Sequence, residues 1–164
     1  MNARFDDSFQ LEMATACRDA DALVCFNRLF DAERGVAYGG SDLSERNLRV
    51  LDGMAPRVSA GFSGAPGSRP RLCGTGNITS GRMLLEYAAR GCESVQLHTF
   101  FQLPLSEYPA THGSRTQRAL HALVFHPGDG LIAGLLRLEA AGRLARRDGM
   151  LRFLDVAADA HRPR

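Results

Sequence analysis

The residues of this chain best placed to hold an anion are two pairs, Gly76-Asn77 and His98-Thr99. Each pair closes a short, mostly apolar run, and the first runs directly into a helical pattern. A glycine-containing turn that feeds a helix N-terminus points unpaired N–H groups at one spot, with the positive end of the helix dipole behind them. That spot favours a phosphate, although glycines at strand ends also serve tight turning alone. Asn27 and Arg28 form a further polar pair, directly after the apolar run Ala22 to Phe26. The C-terminal end of a buried parallel strand is a good place for ligand contacts, but Asn also caps turns and Arg often pairs locally.

Other reactive residue types are scattered. Cys17, Cys25, Cys73 and Cys92 make no CxxC pair and have no His at ligand spacing, so the expectation is reduced thiols and neither a zinc site nor a disulfide framework. His112, His121 and His126 lie at irregular spacing, more typical of surface or capping residues than of metal ligands.

The elements that must position these residues follow from periodicity. Arg71 to Phe101 reads as strand, glycine turn, helix, glycine stop and strand, a βαβ unit of a parallel sheet. The first strand is Arg71 to Thr75, with Gly74 and Gly76 opening the turn. Thr79 or Ser80 caps the helix, and Met83, Leu84, Tyr87 and Ala88 recur at helical spacing to give it one buried face. Gly91 stops it, and Ser94 to His98 is the next strand. Upstream, a helix over Phe9 to Asp19 leads into the strand Ala22 to Phe26, apolar on both faces as expected of a strand covered on both sides.

Leu29 to Gly40 reads as a loop, and Leu43 to Met54 as a helix capped by Ser41 or Asp42, with Leu43, Leu48, Val50 and Leu51 as its apolar set. Ala55 to Pro70 reads as a flexible return loop. Further on, Arg115 to Phe125 suggests an extra helix. Asp129 then caps a last long helix carrying the stripe Leu131, Ile132, Leu135 and Leu136, with Phe153, Leu154 and Val156 extending its contacts.

Composition narrows the class. A length of 164 residues with 45% hydrophobic content suits a folded domain with its own core. Twenty basic against 18 acidic residues leave +2, which implies no polyanion partner, and no interleaving of aromatic and basic residues suggests base stacking. The polar, acidic start is unlike a signal peptide, and no apolar run is long enough to span a bilayer, so a cytoplasmic location is expected.

Three segments in order, ADALVCFNRLFD, the GG-x-x-LS of Gly39 to Ser44, and GTGNITSGRMLLEYAARGCESVQLHT, resemble the C-terminal third of the dihydroorotate dehydrogenase family, FMN flavoproteins on a (β/α)8 barrel. The FNR at Phe26 to Arg28 looks particularly like the family's dihydroorotate dehydrogenase-like branch. The resemblance covers about residues 10 to 101 and, more loosely, the terminal helix. It implies that Gly76 and Asn77 form one phosphate-binding turn of FMN and His98 and Thr99 the other. It further implies that Asn27 bonds a pyrimidine-like substrate stacked on the flavin and that Phe26 lines the cofactor. Where the family has Gly-Gly this chain has Gly76-Asn77, and the family's LSG becomes Leu43-Ser44-Glu45, which sets a carboxylate near the phosphate unless it turns away.

The resulting expectation is an α/β fold, a partial (β/α)8 TIM barrel with about three parallel strands flanked by helices. Residues 1–104 would be C-terminal βα units, and residues 105–164 a loop and terminal helices packed on them. No Cys aligns with the family's catalytic base and no lysine with its flavin-side lysine, so no catalytic residue is assigned and the chain alone is expected to be inactive. In the complete enzyme FMN would take a hydride from the substrate's C6 while a base removes the C5 proton. The ligands implied are FMN and a dihydroorotate-like small molecule, without nucleic acid or membrane. Self-association, or an N-terminal partner supplying the remaining strands, is expected. The alternatives are a non-catalytic phosphate-ligand module, an inactive remnant, or the equivalent part of another phosphate-binding barrel.

Overall fold

The computed structural model describes residues 7–26, 29–31, 35–38, 41–60 and 70–160. Strands β1 (Ala22–Cys25), β4 (Arg71–Thr75) and β5 (Cys92–Gln96) form a parallel sheet in the order β1-β4-β5, with Leu23 opposite Leu72 and Thr75 opposite Gln96. Around it run α1 (Asp7–Ala16), α2 (Ser41–Ala60), α3 (Gly81–Ala88), α4 (Arg115–Leu120), α5 (Leu131–Ala140) and α6 (Phe153–Asp159). This is a mixed α/β fold with the architecture of a partial (β/α) barrel.

One face of the sheet carries the core. Leu23, Cys25, Leu72 and Cys92 pack with Ala14 of α1, Val50, Leu51 and Met54 of α2, and Leu84 and Tyr87 of α3. On the opposite face Ala22, Val24, Arg71, Ser94 and Gln96 are exposed among the described residues, with Cys73 the buried exception. The expectation that Ala22 to Phe26 is covered on both sides is therefore corrected, because β1 alternates between exposed and buried positions. Side chains one residue apart point to opposite faces, and among the described residues α1, α2 and α3 pack on one face of this sheet.

Several boundaries move. β5 runs from Cys92 and stops at Gln96, two residues earlier than Ser94 to His98 at each end, because Thr99–Gln102 winds into a 3-10 turn that takes up the His98 carbonyl through the Phe101 amide. The expected loop at Leu29 to Gly40 contains an antiparallel hairpin, β2 (Leu29–Asp31) with β3 (Val36–Tyr38), helped by Gly35 in the left-handed region. The helix expected to end at Met54 continues to Ala60, inside the expected return loop. Residues 61–69 lie outside those described.

α3 has two buried sides where one was expected. Leu84 and Tyr87 enter the sheet core, while Leu85 and Ala88 join Leu135 of α5 and Val156 and Ala157 of α6 in a second cluster. Gly91 ends the α3 segment at φ +87°, the left-handed stop read from the sequence. The extra helix exists, α4 continuing into a π-helical turn over His121–Phe125, with a capping box between Ser114 and Gln117. It covers a third cluster around Phe100 and Tyr108. α5 is preceded by Gly130 and has no side-chain cap, so Asp129 does not cap it. Of its expected stripe, Leu135 is buried while Ile132 and Leu136 are exposed.

Candidate functional site

The turn after β4 is held from behind by three side chains on two helices. Asn47 of α2, 1% exposed, donates from Nδ2 to the carbonyls of Phe26 (3.1 Å) and Thr75 (2.8 Å). The Tyr87 hydroxyl lies 3.1 Å from the Thr75 carbonyl and 3.0 Å from that of Gly76, and Ser44 Oγ donates to the Asn77 carbonyl at 3.3 Å. Burial pushes the Tyr87 phenol up to about 12, so at neutral pH it keeps the proton it donates. α2 and α3 are themselves tied together by Arg90, which bonds the Leu48 carbonyl and pairs with Asp52 and Glu86. Burial works against the Arg90 charge, but its bonds to those carboxylates outweigh this and raise its pKa.

Capturing these carbonyls sets the direction of the amides. In a trans peptide the C=O and N–H point opposite ways. With the carbonyls of Thr75, Gly76 and Asn77 bound toward α2 and α3, the amides of Gly76, Asn77 and Ile78 point away from them. Gly76 has φ +113° and Asn77 φ +45°, two successive positive-φ residues that turn the chain at the end of β4. A Cβ on Gly76 would strike Asn47 Nδ2, so glycine is required there by space as well as by φ. Gly74 is a different case: it lies inside β4, where a Cβ would run into the Tyr87 ring, and is not part of the turn.

The N-terminus of α3 contributes less than the sequence suggests. Ser80 caps it, accepting from the Met83 amide at 3.2 Å, and the Arg82 amide donates to the Asp129 carbonyl at 2.8 Å. The helix's first amides at Arg82 and Met83 are thus already bonded, which leaves the turn amides as the groups an anion could reach. Glu45 is exposed, while its neighbour Ser44 is buried against the turn. Beside the turn a cavity of about 290 Å³ is lined by Thr79, Ser80, Phe100 and His126 among others. His126 Nδ1 accepts from the amides of Gly128 (3.2 Å) and Asp129 (3.0 Å), which leaves its ring proton on Nε2.

The other expected site residues fall as follows. The parallel register sets the segments after Thr75 and Gln96 side by side, so Gly76-Asn77 and His98-Thr99 leave the same end of the sheet. His98 and Thr99 are exposed. Phe26 is 1% exposed within the main core, and its carbonyl accepts from the Asn47 amide. Asn27 lies outside the described residues. Asn47 and Tyr87 carry the turn's geometry, and sequence reading missed that role. Their only local signal was a polar or hydroxyl-bearing residue on the core-facing side of an amphipathic helix.

All four cysteines are free thiols; burial pushes the Cys25 thiol up to about 12 and also raises that of Cys92. Among the described residues no group of three His, Cys, Asp or Glu could hold a metal ion, and no helix is long and apolar enough to cross a membrane.

Scans of the sequence against protein-family models and against curated proteins return no match. Among solved structures, the chain is similar to dihydroorotate dehydrogenase from Eimeria tenella, determined in complex with ferulenol, at TM-score 0.60 and 14% identity. The fold is dihydroorotate dehydrogenase-like. The alignment covers 97% of this chain but only 36% of that enzyme's, so the chain spans about a third of its structural neighbour. At this identity the likeness concerns the fold, a barrel segment; what the site does rests on its own geometry.

Proposed function

We propose that this chain is the C-terminal, phosphate-binding portion of an FMN-dependent, dihydroorotate dehydrogenase-like oxidoreductase. The observation that carries the reading is the Gly76-Asn77 turn, whose carbonyls are bound by Ser44, Asn47 and Tyr87 so that its amides face outward beside the end of β5. That donor set fits a phosphate group, and it lies at the strand end where parallel barrels bind such ligands. Similarity to a barrel of that family over nearly the whole chain supports the assignment.

In this reading Gly76 and Asn77 bind one side of the FMN phosphate and the His98-Thr99 segment the other. Asn27 bonds a dihydroorotate-like substrate, and Phe26 supports the site through its anchored carbonyl. FMN, when bound, supplies the hydride acceptor. The chain's own residues hold and orient the phosphate and exclude water from behind it. No acid, base or flavin-ring contact is assigned here, so the chain alone binds FMN weakly and does not oxidise dihydroorotate. Cytoplasmic pyrimidine metabolism is the setting this implies.

Titration of the purified chain with FMN, followed by flavin fluorescence, tests the proposal. Weak saturable binding, displaced by inorganic phosphate and diminished by Gly76→Ala, is expected. Absence of any change at millimolar FMN would sink it, and turnover of dihydroorotate by the chain alone would overturn the claim of incompleteness.

A further inference from the structure

A cleft of about 760 Å³ opens between α3, α5 and α6. Its floor is apolar, formed by Leu85, Leu138 and Val156, and α3 and α5 approach so closely there that a Cβ on Gly134 would strike Leu85. Its rim carries Arg82, Arg137 and Arg143, one on α3, one in the last turn of α5 and one just beyond it. The backbone fixes two of these positions: the Arg82 amide donates to the Asp129 carbonyl, and the Arg143 amide to the Leu138 carbonyl at 2.8 Å, behind the left-handed Gly142.

The three arginines differ from most of the other described arginines, Arg18 beside Asp19 included, in lacking counter-charges. Arg46, Arg49, Arg90, Arg146, Arg147 and Arg152 each hold an acidic partner. None of Arg82, Arg137 and Arg143 has one among the described residues. Glu86, also at the rim, is held by Arg90, so three guanidinium groups share the cleft with two carboxylates, Asp129 and Asp159. The volume falls within the range of small-molecule sites, about 300–1,000 Å³. Every basic residue of this chain is arginine, and its planar fork of donors matches phosphate oxygens in pairs.

We propose that this cleft binds a small organic phosphate, its apolar body against Leu85, Leu138 and Val156 and its phosphate among Arg82, Arg137 and Arg143. The cleft lining includes none of Gly76, Asn77, His98 and Thr99, and the inference does not rest on the FMN reading.

Titration of the full chain with 1-naphthyl phosphate, followed by naphthyl fluorescence at fixed ionic strength, tests it against two partial ligands, inorganic phosphate and 1-naphthol. Naphthyl phosphate is expected to bind at least about tenfold tighter than either, because only it uses both floor and rim. Arg137→Gln and Arg143→Gln should each weaken it on the order of tenfold, whereas Arg115→Gln, an exposed arginine outside the cleft, should change nothing. Inorganic phosphate binding as tightly as naphthyl phosphate would overturn the proposal. So would binding that survives the triple change Arg82→Gln, Arg137→Gln, Arg143→Gln; if such binding is then abolished by Gly76→Ala, the ligand sits at the strand-end turn instead. Conversely, naphthyl phosphate binding that survives Gly76→Ala supports the cleft even if FMN does not bind.

Discussion

Replacing Asn47 tests the central geometric argument, because this one carboxamide ties the ends of β1 and β4 together. It is almost wholly buried and donates to two carbonyls, those of Phe26 and Thr75. In Asn47→Ala the Thr75 carbonyl keeps its bond from Tyr87, but the Phe26 carbonyl loses its Asn47 donor. A buried acceptor left without a partner costs about 1–3 kcal/mol, and loss of the second bond adds about 1 kcal/mol. The expected destabilisation is therefore about 2–4 kcal/mol, a large part of the ~5–15 kcal/mol typical of a whole domain.

Asn47→Asp sharpens the test. The shape is conserved, but an ionised carboxylate cannot donate and faces two carbonyl oxygens, so at neutral pH this variant should be the worse of the two. Acidification should narrow the gap, since a protonated carboxyl regains one O–H donor. Urea unfolding, read from the midpoint at unchanged slope, measures both. In a double-mutant cycle Asn47→Ala should also couple with Tyr87→Phe by more than about 0.5 kcal/mol, because the two side chains share the Thr75 acceptor. Equal effects of Ala and Asp, both within about 0.5 kcal/mol of the parent, would refute the claim that this residue anchors the turn.

Two further outcomes are expected. Stability should fall in alkali: Cys25 and Tyr87 have folded pKa values raised to about 12 from ordinary values of 9.0 and 10.0. The unfolded chain therefore releases their protons first, and the stability they contribute, intact below pH 9, declines as pH rises toward 12. Thermal melts at stepped pH check this, and a midpoint flat from pH 9 to 11 would contradict it. The open sheet face around Val24, which is 37% exposed, together with Arg71, Ser94 and Gln96, should favour self-association or capture of further strands. Sedimentation across a concentration series reads it directly, and a strictly monomeric, cooperatively unfolding species would exclude it.

Local chemistry made β4, α3 and the Gly91 stop legible in the sequence. A short apolar run, a hydroxyl at the helix start, apolar spacing of three and four, and a glycine after the last turn are each signals within one element, set by backbone hydrogen bonding and sterics. The strand β1 was equally legible, as was the placement of Gly76-Asn77 after β4, whereas His98, read as the last residue of its strand, lies two residues past the end of β5. What covers each face of β1 was not, because ALVC reads as apolar throughout and only the packing of α1, α2 and α3 on one side exposes Ala22 and Val24. The hairpin at Leu29 to Tyr38 was hidden by the shortness of its strands, whose pairing is decided between segments and not within either.

The sequence by itself determined the order of the parallel strands and of the helices between them, and which residues follow the ends of those strands. Tertiary structure decided which way that backbone faces. Asn47 lies 28 positions before Thr75 and Tyr87 lies 12 after it, and no local pattern relates them. Only when α2 and α3 pack on the sheet do their side chains take up the turn's carbonyls and send its amides the other way. The cleft arginines have the same origin, since Arg82 and Arg143 come to line one cleft only through the packing of α3, α5 and α6. Hydrogen bonds and charges act over a few ångströms of space, and distances along the chain do not report them.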